Sequence, residues 1–404
     1  MRCMEVLHNH IKKSCVDIHK TRLNTLLAAA RGVIEGKTLT LSGMARHLES
    51  NTTRKHDIKR MDRLIGSPFL MKDKEELCRS LIEKILPKRA CYLAIIVDES
   101  ILDSRNERKL LRFSLALEGR SFTLYEVAYK NGMFRDKALD FLLSLKNVIP
   151  NTHSVIIISD AGFFPEWFKK INRLPNWYWL GRISNDYCYQ MQDDTWNRTL
   201  DLYSQATSKP TRVGKIILTK AQKLNANLYL YKEPPKGRKK YNKLGNPDKT
   251  KTSIEKRKAA TDPWLLATSL PFNEVFNAEK IISLYKLRMQ IELQFRDLKS
   301  SRYGFCFEQS LTKDITRINN LLFIGYVAMT AVWLTGFVGE VKNLQYSYQS
   351  NTNRSRRVLS LLFLGHELCR KRTPFISKKE FQEIFDLLSV FIEQYLEVNQ
   401  LVQI

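Results

Sequence analysis

Apolar side chains recur at helical spacing through the first 88 residues of the chain. One such series covers residues 23–34 and stops at Gly36, where a helix would end. Thr40 or Ser42 can cap a short helix, and a turn at 50–53 leads into a second one. The apolar side of that second helix consists of Ile58, Met61, Leu64 and Ile65. The pattern predicts a helical region over 1–88.

From Cys91 onward the pattern changes to short apolar runs that are typical of buried strands. The predicted strands are 92–97, 110–117, 121–129, 155–158 and 177–183, and the predicted helices between them are 137–145 and 163–171. A tight turn around Gly119 joins the second and third strands. The resulting order, β-β-β-α-β-α-β, indicates an α/β domain.

The rest of the chain divides into a polar block and a helical end. Residues 184–275 are polar and carry short strand-like pieces, whereas a long helix is predicted from Asn277 to Lys299 and further helices follow to the C-terminus. The predicted domains are a helical domain at 1–88, an α/β domain at 89–345 that the insertion at 184–275 interrupts, and a C-terminal helical region at 346–404.

The charge balance narrows the classes of molecule that the chain is expected to bind. The chain has 66 Lys and Arg against 41 Asp and Glu, a net charge of +25, which favours nucleic acid over an anionic membrane surface. The apolar run 321–338 is near the minimum length of a membrane span, but Gly and Thr residues within it favour a buried core helix. The seven cysteines are scattered without a Cys-x-x-Cys pair, which indicates a reducing compartment.

Two basic segments are candidates for contact with DNA. The outer face of the second short helix bears Arg54, Lys55, Lys59, Arg60 and Arg63. This arrangement is compatible with helix-turn-helix binding, and a small helical bundle with a solvated face explains it equally well. The stretch 232–258 holds eleven Lys or Arg, among them Arg238, Lys239 and Lys240. In so basic a chain, contact with phosphates is favoured for it over simple solvation.

Two aspartates follow apolar runs, where burying a carboxylate costs free energy unless it is paired or binds a metal. Asp98 and Asp160 each end a predicted buried strand. Carboxylates that converge from neighbouring strands suit a hard divalent cation such as Mg²⁺. One such aspartate means little, because acids are common at strand ends, so it is the pair that points to a metal.

The predicted long helix presents charged groups beside an apolar stripe. Tyr285, Arg288, Glu292 and Lys299 fall within an arc of roughly 60° on a continuous helix at about 100° per residue. An acid for a metal, with cations for phosphates, is what phosphoryl transfer requires. A solvated face with ordinary ion pairs explains the periodicity equally well.

The same segment, residues 285–299, resembles the Y-(2)-R-(3)-E-(6)-K signature of DDE transposases of the insertion-sequence-four family. Residues 97–100 (Val-Asp-Glu-Ser), 158–163 (Ile-Ser-Asp-Ala-Gly-Phe) and 262–268 (Asp-Pro-Trp-Leu-Leu-Ala-Thr) resemble the same family. The resemblance extends from about residue 21 to about residue 370. It implies a ribonuclease-H-like fold, with a mixed five-stranded sheet, flanking helices and a β-rich insertion.

The resemblance also implies the chemistry. Asp98, Asp160 and Glu292 would bind two Mg²⁺ ions, which Mn²⁺ can replace, for in-line attack of water or a DNA 3′-hydroxyl on a phosphodiester. Tyr285, Arg288 and Lys299 would hold phosphates near the cut. Excision in this family passes through a hairpin with one base flipped out, and Trp264 is in the matching place to stack on it; the alternative for Trp264 is a core aromatic on a strand.

The sequence departs from the family at one position. Relatives often have Trp after the first catalytic Asp, whereas this chain has Glu99, whose side chain would point to the other side of the strand. Glu99 is therefore not expected to bind metal, and the nearby acids Asp103 and Asp297 are less favoured candidates.

The expected function is cut-and-paste transposition by a homodimer that binds terminal inverted repeats and inserts the element into target DNA, in the bacterial cytoplasm at the nucleoid and without a membrane. Two alternatives keep the fold: a transposase-derived protein that binds DNA without cutting it, and a ribonuclease-H-like nuclease without strand transfer. The intact set of acids disfavours the first, and cleavage without joining would mark the second.

Overall fold

The computed structural model describes residues 2–103, 105–184, 186–191, 195–234, 250, 262–302, 304–353, 355–370 and 376–403. The predicted DNA contacts Arg238, Lys239 and Lys240 lie outside the described residues. The chain divides into two compact units. The first consists of Met1–Tyr92, Asp98–His153 and Met289–Ile404, and the second of Leu93–Val97 and Ser154–Arg288.

The helices lie mainly at the two ends of the chain. The α-helices are α1 (Arg2–Ser14), α2 (Lys20–Gly36), α3 (Leu41–Arg46), α4 (Arg54–Ile65), α5 (Leu70–Ile85), α6 (Phe134–Val148), α7 (Pro165–Ile171), α8 (Ala278–Lys286), α9 (Gln290–Lys299), α10 (Ile315–Val341), α11 (Leu361–Arg370), α12 (Lys378–Gln382) and α13 (Ile384–Val398). Short 3₁₀ segments occur at Thr199–Gln205, Leu287–Met289, Phe307–Ser310 and Leu344–Ser347.

The strands occupy the middle of the chain. They are β1 (Tyr92–Ile101), β2 (Arg108–Leu117), β3 (Arg120–Lys130), β4 (Ser154–Ser159), β5 (Trp177–Arg182), β6 (Cys188–Gln190), β7 (Trp196–Arg198), β8 (Thr211–Leu218), β9 (Leu224–Tyr231) and β10 (Trp264–Thr268). They hydrogen-bond in the order β3-β2-β1-β4-β5-β10-β9-β8-β6-β7. The sheet is mixed, since β4 and β5 run parallel while β2 and β3, and β5 and β10, run antiparallel.

The first unit is built around α10. Nearly all of this helix is buried, and it packs on α11, α2 and β3. It is long and apolar enough to cross a membrane by composition, but 89% of its most apolar window is buried inside the protein, as expected of a core helix. Glycines allow α10 and α11 to touch: a Cβ on Gly336 would lie 1.9 Å from the Leu361 carbonyl oxygen, and one on Gly365 would lie 1.9 Å from that of Val332.

The second unit has a fully buried strand at its centre. Every residue of β4 is buried, and so are those of the segment Leu93–Val97. Helix α7 covers β5, where the rings of Phe168 and Trp179 stack at 4.3 Å between centroids. A Cβ on Gly181 would lie 2.3 Å from the Phe168 ring, so this glycine makes room for the helix.

The structure confirms the α/β fold class and most predicted elements, with one correction to the strands. Within the described residues the mixed sheet has ten strands, namely β1–β5 and the strands of the predicted insertion, β6–β10, which continue it. Strand β1 runs on to Ile101, so Asp98 lies within it rather than at its end.

Two further predictions about helices are wrong in detail. The segment from Asn277 to Lys299 is helical, but Leu287–Met289 is 3₁₀, so the predicted long helix is in fact α8 and α9. Ile58 was expected in the core of α4 and is 37% exposed.

Candidate active site

Asp98 lies where the burial of β1 ends. The five preceding residues are fully buried, whereas Asp98 and the next residues are half-buried. Its Oδ1 accepts a hydrogen bond from the backbone N–H of Glu99 at 2.8 Å. The side chain of Glu99 forms an ion pair with Lys109, with Nζ and Oε2 3.0 Å apart. This pairing is consistent with the expectation that Glu99 does not serve a metal.

Lys299, at the end of α9, contacts the same part of β1. Its Nζ donates a hydrogen bond to the Ser100 Oγ at 2.9 Å and another to the backbone carbonyl of Ile101. Burial lowers the pKa of Lys299. Lys299 is therefore held beside β1 at Ser100, which is two residues after Asp98 in the chain.

Glu292 lies on the exposed side of α9. The opposite side of this helix is apolar, with Ile291, Phe295 and Leu298 buried as predicted. Because 3₁₀ residues separate α8 from α9, the continuous α-helix on which the shared arc of Tyr285, Arg288, Glu292 and Lys299 was predicted is not formed.

Asp160 is the first residue after β4, as predicted, and its surroundings in the second unit are charged and aromatic. Its Oδ1 accepts a hydrogen bond from the Gly162 backbone N–H at 2.8 Å. Besides burial, its negative charge raises the pKa of the Tyr285 phenol, which is only 5% exposed. Burial raises the pKa of Tyr285, and the positive charges of Arg288 and Arg182 oppose that rise.

Asp160, Tyr285, Arg288 and Arg182 thus form one cluster in the second unit. Arg288 also forms a hydrogen bond with the Tyr285 hydroxyl. Sequence reasoning missed Arg182. The signal was available, because Arg182 is the last residue of the buried strand β5, in the same kind of position as Asp160 after β4.

Trp264 extends this cluster at the start of β10. The indole is half-buried and packs edge-on against Tyr285, with ring centroids 5.1 Å apart, and against Tyr231 at 5.5 Å. Lys286 donates a hydrogen bond to the Tyr231 hydroxyl at 3.3 Å. Trp264 is therefore on a strand, as one interpretation had it, and it also packs against Tyr285, one of the predicted phosphate ligands.

Carboxylate oxygens at Asp98, Asp160 and Glu292 are the donors that Mg²⁺ prefers. No group of three or more His, Cys, Asp or Glu side chains that could hold a metal ion occurs among the described residues. The metal site stays a prediction.

Helix α4 presents part of the predicted basic face. Lys55, Lys59 and Arg63 are exposed on it. Arg54 is exposed as well, but its Nη1 also donates to the Ala45 carbonyl at 3.2 Å and lies 3.4 Å from the Oδ2 of the buried Asp57. Helix α3, which packs on α4, is capped by Thr40 as predicted, and the Thr40 Oγ1 accepts from the Gly43 N–H at 3.1 Å.

Residues 115–324, just over half of the chain, match the family model described as the transposase DDE domain. The match includes Asp160, Glu292 and the signature segment 285–299, and it begins after Asp98. No curated protein matches the chain.

Proposed function

The chain belongs to the transposase DDE domain family, and we propose that it catalyses cut-and-paste transposition of an insertion sequence. It binds terminal inverted repeats, nicks and excises the element through a hairpin, and joins the 3′-hydroxyl ends to target DNA. The observation that carries this proposal is the family match over Asp160 and Glu292, together with the mixed α/β fold. Members of the family are generally enzymes that cut or transpose DNA.

The proposed catalytic acids are Asp98, Asp160 and Glu292, which would hold two Mg²⁺ ions. Such ions supply Lewis acidity for the attacking oxygen and neutralise charge on the leaving oxygen. The order of the sheet supports the proposal, because β1, which carries Asp98, and β4, which Asp160 directly follows, are neighbours in it.

The remaining side chains would position the DNA. Arg288 and Arg182 would pair with phosphate oxygens, and both already act on the Tyr285 phenol. Lys299, which is held by Ser100 and Ile101, would bring a cation beside β1. The half-buried indole of Trp264 offers a flat surface on which an extruded base can stack.

The test uses the purified protein with Mg²⁺ and a duplex that carries the DNA ends flanking its gene. We expect excised products with hairpin ends, followed by strands joined to a target plasmid, separated on a denaturing gel. Binding of the ends without cleavage would replace the proposal by that of a non-catalytic DNA-binding protein. Cleavage without joined strands would replace it by that of a nuclease.

Helix α4 is proposed as a phosphate-contacting element, and its exposed lysines give a quantitative prediction. Replacing both Lys55 and Lys59 by Ala should weaken binding to all DNA sequences alike. The slope of log affinity against log salt should fall by about 2, since each phosphate contact contributes about 0.9. The slope can be measured by fluorescence anisotropy of a labelled duplex at several salt concentrations.

A matched control removes two exposed lysines from another helix. Lys12 and Lys13 lie at the end of α1, and replacing both by Ala should change the slope by less than half as much. Equal slopes for the two double variants would show that α4 makes no special contact with the DNA backbone. Dimer formation in the complex and action at the bacterial nucleoid are further proposals, and they rest on the family.

A further inference from the structure

A cavity of about 350 Å³ lies in the first unit, on the side of α9 away from Glu292. Gln290, Gln294 and Asp297 of α9 line it, and at about 100° per residue these face away from Glu292 and Lys299. Arg112 of β2 and Trp333 of α10 line it as well. The volume is at the lower end of the range for small-molecule sites, and it suits a ligand about the size of a nucleobase.

Arg112 brings to this cavity a donor that has no hydrogen-bond partner among the described residues. Arg112 is fully buried, and its Nε and Nη2 lie 2.8 and 2.6 Å from the Glu126 Oε2. Its Nη1 has no hydrogen-bond partner within the described part of the chain. A buried guanidinium nitrogen in that state costs free energy until an acceptor reaches it. A ligand with an acceptor oxygen or nitrogen would therefore satisfy the Arg112 Nη1 donor.

An acceptor lies in the same cavity. Asp297 is 8% exposed, and the influences on its carboxylate are burial and the charges of Arg296 and Arg112, with no hydrogen bond among them. Burial raises the pKa of Asp297 to about 6, opposed by the charges of Arg296 and Arg112. A ligand with adjacent N–H groups would donate to this carboxylate.

Aromatic rings complete the wall. The Phe122 ring meets the half-buried Trp333 edge-on, with centroids 5.1 Å apart, and Trp333 stacks on Phe337 at 5.9 Å. Phe122 and Trp333 both line the cavity. A flat ligand can therefore be held between polar groups and an aromatic surface.

We propose that this cavity binds a guanine base, with the Arg112 Nη1 donating to O6 and the Asp297 carboxylate accepting from N1–H and N2–H. Guanine is the base that sets one acceptor beside two adjacent donors, and this pattern complements the two side chains. The base comes either from a free nucleotide or from DNA. The proposal does not depend on the catalytic function proposed above, because none of the acids assigned to catalysis takes part.

The experiment is calorimetric titration of the full-length protein with guanosine, adenosine and xanthosine 5′-monophosphates. A parallel arm uses a thymine oligonucleotide with a single guanine against the same oligonucleotide without it. Wild type should bind the guanine nucleotide at least about tenfold more tightly than the adenine nucleotide, because adenine lacks the N1–H donor. Binding of the free nucleotide would identify it as the source, and binding of the oligonucleotide alone would identify a DNA base.

Asp297→Asn gives the sharper readout, since the amide presents a donor where the carboxylate presented an acceptor. The variant should lose about 10- to 100-fold in affinity for guanine and gain affinity for xanthine, which has a carbonyl in place of the 2-amino group. Asp140→Asn, at an exposed position on α6, should behave as wild type. Thermal melting of each variant reports whether it is folded.

Three results would overturn the proposal. The first is that neither the guanine nucleotide nor the guanine oligonucleotide binds to wild type. The second is that guanine and adenine bind equally. The third is that Asp297→Asn, melting as a folded protein, keeps its affinity for guanine.

Discussion

Glu292→Gln is expected to reduce DNA cleavage by about a thousandfold or more while DNA binding is unchanged. The amide has nearly the same shape but no charge, so it is a poor ligand for a hard divalent ion. Loss of metal-based stabilisation is worth several kcal/mol of the barrier, and each 1.36 kcal/mol is a factor of ten in rate. Asp98→Asn and Asp160→Asn should give losses of the same size. The measurement is the rate of strand cleavage on the end duplex under single-turnover conditions, with binding followed separately.

The chain offers a matched control directly beside one of these acids. Glu99→Gln makes the same chemical change one residue from Asp98, but Glu99 is paired with Lys109. Its cleavage rate should stay within about threefold of wild type. If Glu99→Gln were as damaging as Asp98→Asn, the assignment of Asp98 would fail, and a general need for charge in this part of β1 would explain both. If Glu292→Gln cut at the wild-type rate, Glu292 would not be a catalytic acid.

Elements with strong periodicity were predictable from the sequence. The strands β4 and β5 and the helix α10 are apolar in nearly every position, so both their type and their burial follow from composition. The turn between β2 and β3 was predictable from Gly119, which has φ +61° in the structure. Local signals of this kind do not depend on distant parts of the chain.

Features that have no local sequence signal, or that depend on pairing between distant segments, were not predictable. The strands β6 and β7 have three residues each, too few for a period to show. The 3₁₀ segment Leu287–Met289 contains no Gly or Pro that would announce a break. Whether the insertion forms its own sheet or extends an existing one depends on pairing between β5 and β10, which are far apart in sequence.

The residues of the candidate site also divide into those that a local sequence signal predicts and those that depend on contacts between distant segments. Asp160 was predictable because a strand end is visible as the end of an apolar run. The deep burial of Tyr285 was not, because the residues around it come from β5, β10 and the 3₁₀ segment Leu287–Met289. Arg112 and Asp297, which line the cavity proposed to bind guanine, are 185 residues apart in the chain, and no sequence spacing could have paired them.

Glu126→Gln is expected to destabilise the protein by about 3–5 kcal/mol, through a buried charge cluster in the first unit. Glu126 of β3 is 1% exposed and forms an ion pair with the fully buried Arg112. Lys74 of α5, also fully buried, donates to the Glu126 backbone carbonyl, and burial lowers the pKa of Lys74. Without the carboxylate, Arg112 loses its ion-pair partner, and the positive charges of Arg112 and Lys74 repel each other in a buried setting. Thermal unfolding followed by circular dichroism should show a midpoint lower by roughly 5–10 °C.

The control for this prediction is again Glu99→Gln, which removes a carboxylate from a partly exposed lysine pair. That change should cost at most about 1 kcal/mol, because water replaces the lost interaction. Equal midpoints for the two variants would show that the Arg112–Glu126 pair is dispensable. Replacing Arg112 by Met in the Glu126→Gln background should recover part of the lost stability, because it removes one of the two buried positive charges. A double variant that melts below the single one would mean that the Arg112 side chain contributes mainly through packing, for instance on the Phe295 ring 5.0 Å away.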